Sequence, residues 1–310
     1  MIFRVLAITL NTYREAVRAR LLLGVFALGL ATCLYAVIVA SLSLHNEVRV
    51  VADLGSASLS LYAVVVAIVI GSTSLYRELE HKTIFPILSR PIHRWEYLIG
   101  KYAGIVLTIA VFAAVQASAV LALLAVESGQ PPLRVVAVFA GLVALLAVMI
   151  VRARTTRVFV LVPWAAALPL AGWLLAPLAP EERRLVVASA VLAVCEGGIV
   201  AAVATLFSSF SSPALTATFT GMVFVIGRSA DTLAHLPKKL FGDAVGAGGR
   251  VLARIFPNLH VYVPARSLLL GQVPEHPVWR YVGAAALHAV LYVALMLGIA
   301  VLAFRKRDFS

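Results

Sequence analysis

From Leu21 onwards the chain is built of long apolar runs separated by short polar stretches. A helix needs about 20 apolar residues to cross the hydrocarbon core of a bilayer. The pattern predicts eight spans: Leu21 to Leu44, Ala57 to Tyr76, Tyr97 to Val126, Arg134 to Val151, Val158 to Leu178, Leu185 to Phe207, Ala214 to Asp231, and Val282 to Phe304. The expected fold is all-α, a polytopic transmembrane helical bundle. Between Arg134 and Leu178 the pattern is least regular, because Pro163, Pro169 and Pro177 kink or break helices. Ahead of the first run, Leu6, Leu10, Tyr13 and Val17 share one helical face, while Arg4, Asn11, Arg14, Glu15 and Arg18 gather on the other. Residues 1–20 therefore read as an amphipathic helix in the headgroup layer rather than a secretory leader. The alternative is a ragged polar start to the first span.

The polar stretches differ from one another. Ser208 to Pro213, SSFSSP, is short, small and uncharged, as a tight hairpin requires. Residues 232–281 interleave Pro and Gly with LARIF, HVYV and SLLL. This loop reads either as short amphipathic or re-entrant helices on the outer face, or as a solvated loop with a few surface turns. Tyr76 to Lys101, YRELEHKTIFPILSRPIHRWEYLIGK, is the most charged. Arg77, Glu78, Glu80, His81 and Lys82 are too polar for hydrocarbon, Pro86 and Pro91 reverse the chain, and Arg90, Arg94 and Glu96 lead into the next helix. Glu96 stands three residues after His93, the spacing of a capping box. A short helix, a kinked reversal and a re-entry would present both signs of charge to a partner; the alternative is an ordinary solvated loop.

Composition sharpens this picture. With 62% hydrophobic and 13% charged residues, the 310-residue chain has too little polar surface for a soluble globule. Its formal charge of +12 is not gathered into a basic, aromatic-interleaved face, which argues against nucleic acid and for topology signals and anionic lipid. With the N-terminus inside, the inner segments carry fifteen Lys and Arg against four in the short outer loops. That bias predicts both termini on the cytoplasmic side.

Chemical motifs are mostly missing. No phosphate loop is present: Gly100-Lys101 is followed by Tyr102 and lacks the upstream glycine. Nor is there a His-Glu-x-x-His, Cys-x-x-Cys or Gly-x-Ser-x-Gly, and the seven histidines have no ligand spacing. No catalytic residue, metal site or cofactor is expected in this chain. Cys33 and Cys195 lie within apolar runs and read as packing residues.

The segment E-x-E-x-x-T-x-x-x-x-L-S-R-P-I-x-R-W-E-Y-L-x-G-K, Glu78 to Lys101, resembles the first cytoplasmic loop of ABC-2-type transporter permeases, the membrane subunits of ABC exporters. The N-terminal amphipathic helix resembles that family's elbow helix, and LFSSFSSPAL (Leu206 to Leu215) its turn between the fourth and fifth spans. FPNLHVY (Phe256 to Tyr262) and the FRKRDF ending (Phe304 to Phe309) resemble its C-terminal third. The resemblance implies a coupling loop formed by Arg77, Glu78, Glu80, His81, Lys82, Thr83, Arg90, Arg94 and Glu96, seated on a separate ATPase subunit that binds ATP. It also implies a homodimer or heterodimer of permease chains in the plasma (inner) membrane. Six spans are usual in that family, so 134–178 would be an inserted hairpin. Two other classes stay open: a membrane-embedded enzyme, which should gather carboxylates or histidines at one depth, and a secondary transporter, which should carry several intramembrane charges and a repeat.

Two ionisable residues fall inside spans. Glu196 interrupts VLAVCEGGIV, and Arg228 interrupts MVFVIGRSA. Each lies 16 residues from Ser212 at the hairpin turn, which puts both at similar depth and predicts an ion pair. The alternative is two independent charges, one facing a cavity and one snorkelling outward.

Overall fold

The computed structural model describes residues 2–43, 46–80, 93–153, 157–235, 238–272 and 277–305. It is an all-α polytopic helical bundle. The helices are α1 (Ile2–Arg18), α2 (Arg20–Ser41), α3 (Glu47–Glu80), α4 (Arg94–Glu127), α5 (Pro132–Arg152), α6 (Leu161–Leu175), α7 (Pro180–Ser208), α8 (Pro213–Arg228), α9 (Ala230–Ala234), α10 (Lys238–Ile255), α11 (Arg266–Leu269) and α12 (Val278–Arg305). A 3-10 turn at Leu259–Tyr262 lies between α10 and α11.

Six of these helices, α2, α3, α4, α5, α7 and α12, are long and apolar enough to cross a membrane. The other two expected spans are shorter. α6 has 15 residues and α8 has 16, which at 1.5 Å per residue gives roughly 22 to 24 Å against a core of about 30 Å. Pro163 and Pro169 fall within α6, and α8 ends at Arg228, where a charge closes the apolar run. The expected hairpin at 134–178 is present as α5 and α6. α6 packs on α4, whereas only 6% of the apolar window of α5 is buried.

The centre of the bundle is α3, α4 and α7. Their apolar windows are 56%, 56% and 67% buried, against 22% for both α2 and α12. Association inside a membrane depends on close packing, since lipid tails are as apolar as leucine. α7 supplies the required flatness through Gly197-Gly198-Ile199-Val200-Ala201-Ala202-Val203-Ala204-Thr205, all buried. α3 lies so close that a Cβ on Gly71 would stand 2.6 Å from the Ala204 Cβ. Polar links are sparse and specific. Gln116 on α4 donates through Nε2 to the Gly29 carbonyl on α2 at 3.0 Å, and Thr32 on α2 meets the Tyr62 hydroxyl on α3 at 2.8 Å.

α1 is amphipathic, as its periodicity predicts, but its contact face is rotated from the Leu6, Leu10, Tyr13, Val17 stripe. Ile8 and Thr12 meet α4, where a Cβ on Gly100 or Gly104 would collide with them, and Tyr13 and Ala16 are buried. Leu6 and Phe3 remain exposed. One apolar face thus serves two neighbours, helix α4 and hydrocarbon. The 232–281 loop holds real helical structure. α10 places exposed Val251, Leu252 and Ile255 beside Arg250 and Arg254, the mixture of an interfacial helix.

Candidate functional site

Charged side chains collect at two junctions along α3, one at each end of the bundle. The first lies where α3 and α4 flank residues 81–92. At 34 residues each, the two helices extend about 51 Å, well beyond a hydrocarbon core of about 30 Å. Of the expected coupling residues, His81, Lys82, Thr83 and Arg90 lie outside the described residues, as do the side chains of Arg77, Glu78 and Glu80 in the last turn of α3. Arg94 opens α4. Glu96 accepts from the His93 backbone N–H at 3.2 Å, completing the capping box, and is buried at 2% exposure. Its carboxylate is turned into the helix start and does not face outward.

Two turns into α4, Lys101 is buried. Its Nζ donates to the Ser74 carbonyl at 2.9 Å and to the Ser74 hydroxyl at 3.0 Å, and stands 3.8 Å from Glu15 Oε2. A single ammonium thereby joins α1, α3 and α4 beside the 81–92 segment. The sequence pattern places Lys101 at the end of the coupling-loop motif and among the inside charges, and assigns it no partner. A lysine this far into an apolar helix was nonetheless a signal, because an intramembrane charge seeks a partner. Nearby, Tyr13 on α1 is fully buried, and burial pushes its phenol up to about 12, so it stays neutral at physiological pH.

The second junction lies toward the opposite end of α3. Arg228 Nη1 donates to Glu196 Oε1, and Ser60 Oγ donates to Glu196 Oε2 at 2.7 Å. The structure thus brings the two intramembrane charges together. Glu196 is completely buried, whereas the Arg228 side chain keeps 30% exposure. Arg228 faces a small polar cavity of about 160 Å³ that Ser56, Ser60, Ser189, Tyr262 and Arg266 also line. Above it, Arg266 on α11 is paired with both Asp53 on α3 and Glu182 on α7. Arg49 adds a weaker contact to Asp53 at 3.7 Å. Four helices, α3, α7, α8 and α11, are cross-linked around one polar well. Sequence reasoning missed Ser60, Asp53, Glu182 and Arg266, because each partner is supplied by a different and distant part of the chain.

Both junctions tie helices together through charged side chains. No group of three or more His, Cys, Asp or Glu that could hold a metal ion occurs among the described residues. Cys33 is buried and Cys195 half-buried, and the Cys33 sulfur receives a hydrogen bond from Gln116 at 3.4 Å. The chain matches no protein-family model and no curated protein.

Proposed function

We propose that this chain is the membrane permease of an ABC-type exporter, powered by ATP that is bound and hydrolysed by a separate ATPase subunit docked on residues 77–96. The observation that carries the reading is the Lys101 junction. A push on the 81–92 segment reaches α3 and α4 with no intervening linker, and Lys101 ties those helices to α1 so that the three move as one block. α3 continues without a break to Ser60 and Asp53 in the polar well. A docking movement at one end of the bundle is thus connected to a charged, cross-linked junction near the other, the kind of contact set that a switching transition would repack. Arg77, Glu78, Glu80, His81, Lys82, Thr83, Arg90 and Arg94 are the docking residues of this reading, and Glu96 positions the start of α4.

Reversal of Glu78 and Glu80 to Lys tests the docking surface. The tagged chain, purified from its own cells in mild detergent, carries ATPase activity, and the double reversal removes that activity while membrane insertion is unchanged. ATPase activity that co-purifies equally with both forms would overturn the proposal.

The same reading places the chain in the plasma (inner) membrane, with both termini cytoplasmic and two permease chains around the transport path. In a Cys-free background, a cysteine at position 128 is labelled from outside by an impermeant thiol reagent, and one at position 310 only after permeabilisation. The reverse pattern would invert the orientation.

A further inference from the structure

A cavity of about 460 Å³ lies beneath α1, where it crosses α2 and α3. Its floor is apolar, formed by Leu22 and Val25 of α2 and Val66, Val69 and Ile70 of α3, and its rim is polar, with Thr12, Glu15 and Arg18 of α1. A second, open depression shares Glu15, Arg18 and Ala19 with it and continues along α1 over Asn11 and Arg14. An apolar slot and a polar shelf therefore adjoin at one place. That place is the break at Ala19 between the amphipathic helix and the first span, which sits at headgroup depth.

The shelf is cationic. Glu15 is its carboxylate, and it faces the Lys101 ammonium at 3.8 Å. Arg14 and Arg18 are both exposed, and neither has an ion-pair partner among the described residues. Exposed guanidiniums next to a slot of acyl-chain character match one class of ligand: a head with negatively charged oxygens on an apolar tail. We infer that the space beneath α1 binds an anionic membrane phospholipid, with one acyl chain between α1, α2 and α3 and the phosphate on Arg14 and Arg18. A bound lipid would fill the wedge that separates α1 from α3 beside the Lys101 junction. Anionic lipid is abundant in the leaflet facing the cytoplasm, where the positive-inside bias of this chain would place α1.

The test uses the full-length chain, delipidated in detergent and then offered phosphatidylglycerol or phosphatidylcholine of the same acyl composition, with retained lipid counted by native mass spectrometry. Wild type retains phosphatidylglycerol with roughly tenfold preference, the scale set by losing or keeping charge-assisted contacts. Arg14→Gln with Arg18→Gln abolishes the preference. Val69→Phe, which fills the slot, lowers retention of both lipids, while Val143→Phe on the exposed face of α5 leaves it unchanged. Gel filtration and circular dichroism confirm that each variant is folded. Equal retention of the two lipids by wild type, or retention indifferent to Val69→Phe, overturns the site. Displacement of phosphatidylglycerol by millimolar inorganic phosphate alone would also overturn it, by showing an anion shelf without an acyl slot.

Discussion

Arg228→Gln destabilises the bundle more than Glu196→Gln, although the two residues form one ion pair. The asymmetry follows from burial: Glu196 is fully enclosed, whereas Arg228 keeps 30% of its side chain exposed toward the polar cavity. Removing the arginine leaves an enclosed carboxylate whose remaining hydrogen-bond donor among the described residues is the Ser60 hydroxyl. Breaking a buried pair in this way costs about 3 to 5 kcal/mol. Removing the carboxylate leaves a guanidinium that can hydrate through the cavity, and the loss falls to about 1 to 3 kcal/mol. Glu196→Gln combined with Arg228→Gln is then more stable than Arg228→Gln alone, because neither charge is left without its counterpart. The charge-swapped pair recovers part of the loss. Unfolding midpoints of the four variants in detergent give the coupling energy directly. Strictly additive single effects, with no gain in the double variants, would show that the two side chains act independently.

Lys101→Met is expected to have the second largest effect. Methionine keeps the apolar stem and removes the donors that reach Ser74 and face Glu15. Hydrogen bonds to charged groups contribute about 1.5 to 3 kcal/mol, so stability falls by about that much. A second readout separates the staple from simple packing. Spin labels at Asn11 on α1 and Leu61 on α3, in a chain lacking Cys33 and Cys195, report one narrow distance in wild type and a broadened distribution in Lys101→Met. Lys101→Arg keeps a charge and several donors, and narrows the distribution again. An unchanged distribution in Lys101→Met would mean that α1 is held to the bundle by the Gly100 and Gly104 contacts alone.

The two junctions were not equally legible in the sequence. Glu196 and Arg228 stand out because each interrupts an apolar run, and their equal separation from Ser212 puts them at one depth in an antiparallel hairpin. Ser60 carries no such mark. It lies 136 positions from Glu196 in the chain, and serine is ordinary in a membrane helix. Arg266, paired with Asp53 and Glu182, sits in a loop whose register relative to α3 and α7 no local pattern specifies. Glu96 was legible in one respect: the three-residue spacing from His93 is a capping box, and the structure forms one. That the cap encloses its carboxylate depends on how α4 packs.

Hydropathy alone determined that this is an all-helical, polytopic membrane bundle with an amphipathic N-terminal helix, because backbone groups in hydrocarbon must be satisfied within each segment and apolar run length is a local property. Proline content likewise marked 134–178 as irregular, since a proline in a helix interior removes a backbone hydrogen bond and kinks or shortens the helix whatever surrounds it. Tertiary structure alone decided which helices are central, which face of α1 meets α4, and which partners Lys101, Glu196 and Arg266 find. A spanning helix in lipid is apolar on nearly every side, so periodicity no longer distinguishes its buried face from its exposed one, and the choice passes to close packing of small residues such as Gly71 against Ala204 and to a few long-range polar contacts; on amphipathic α1 the same close packing, of Ile8 and Thr12 on Gly100 and Gly104, selects the contact face.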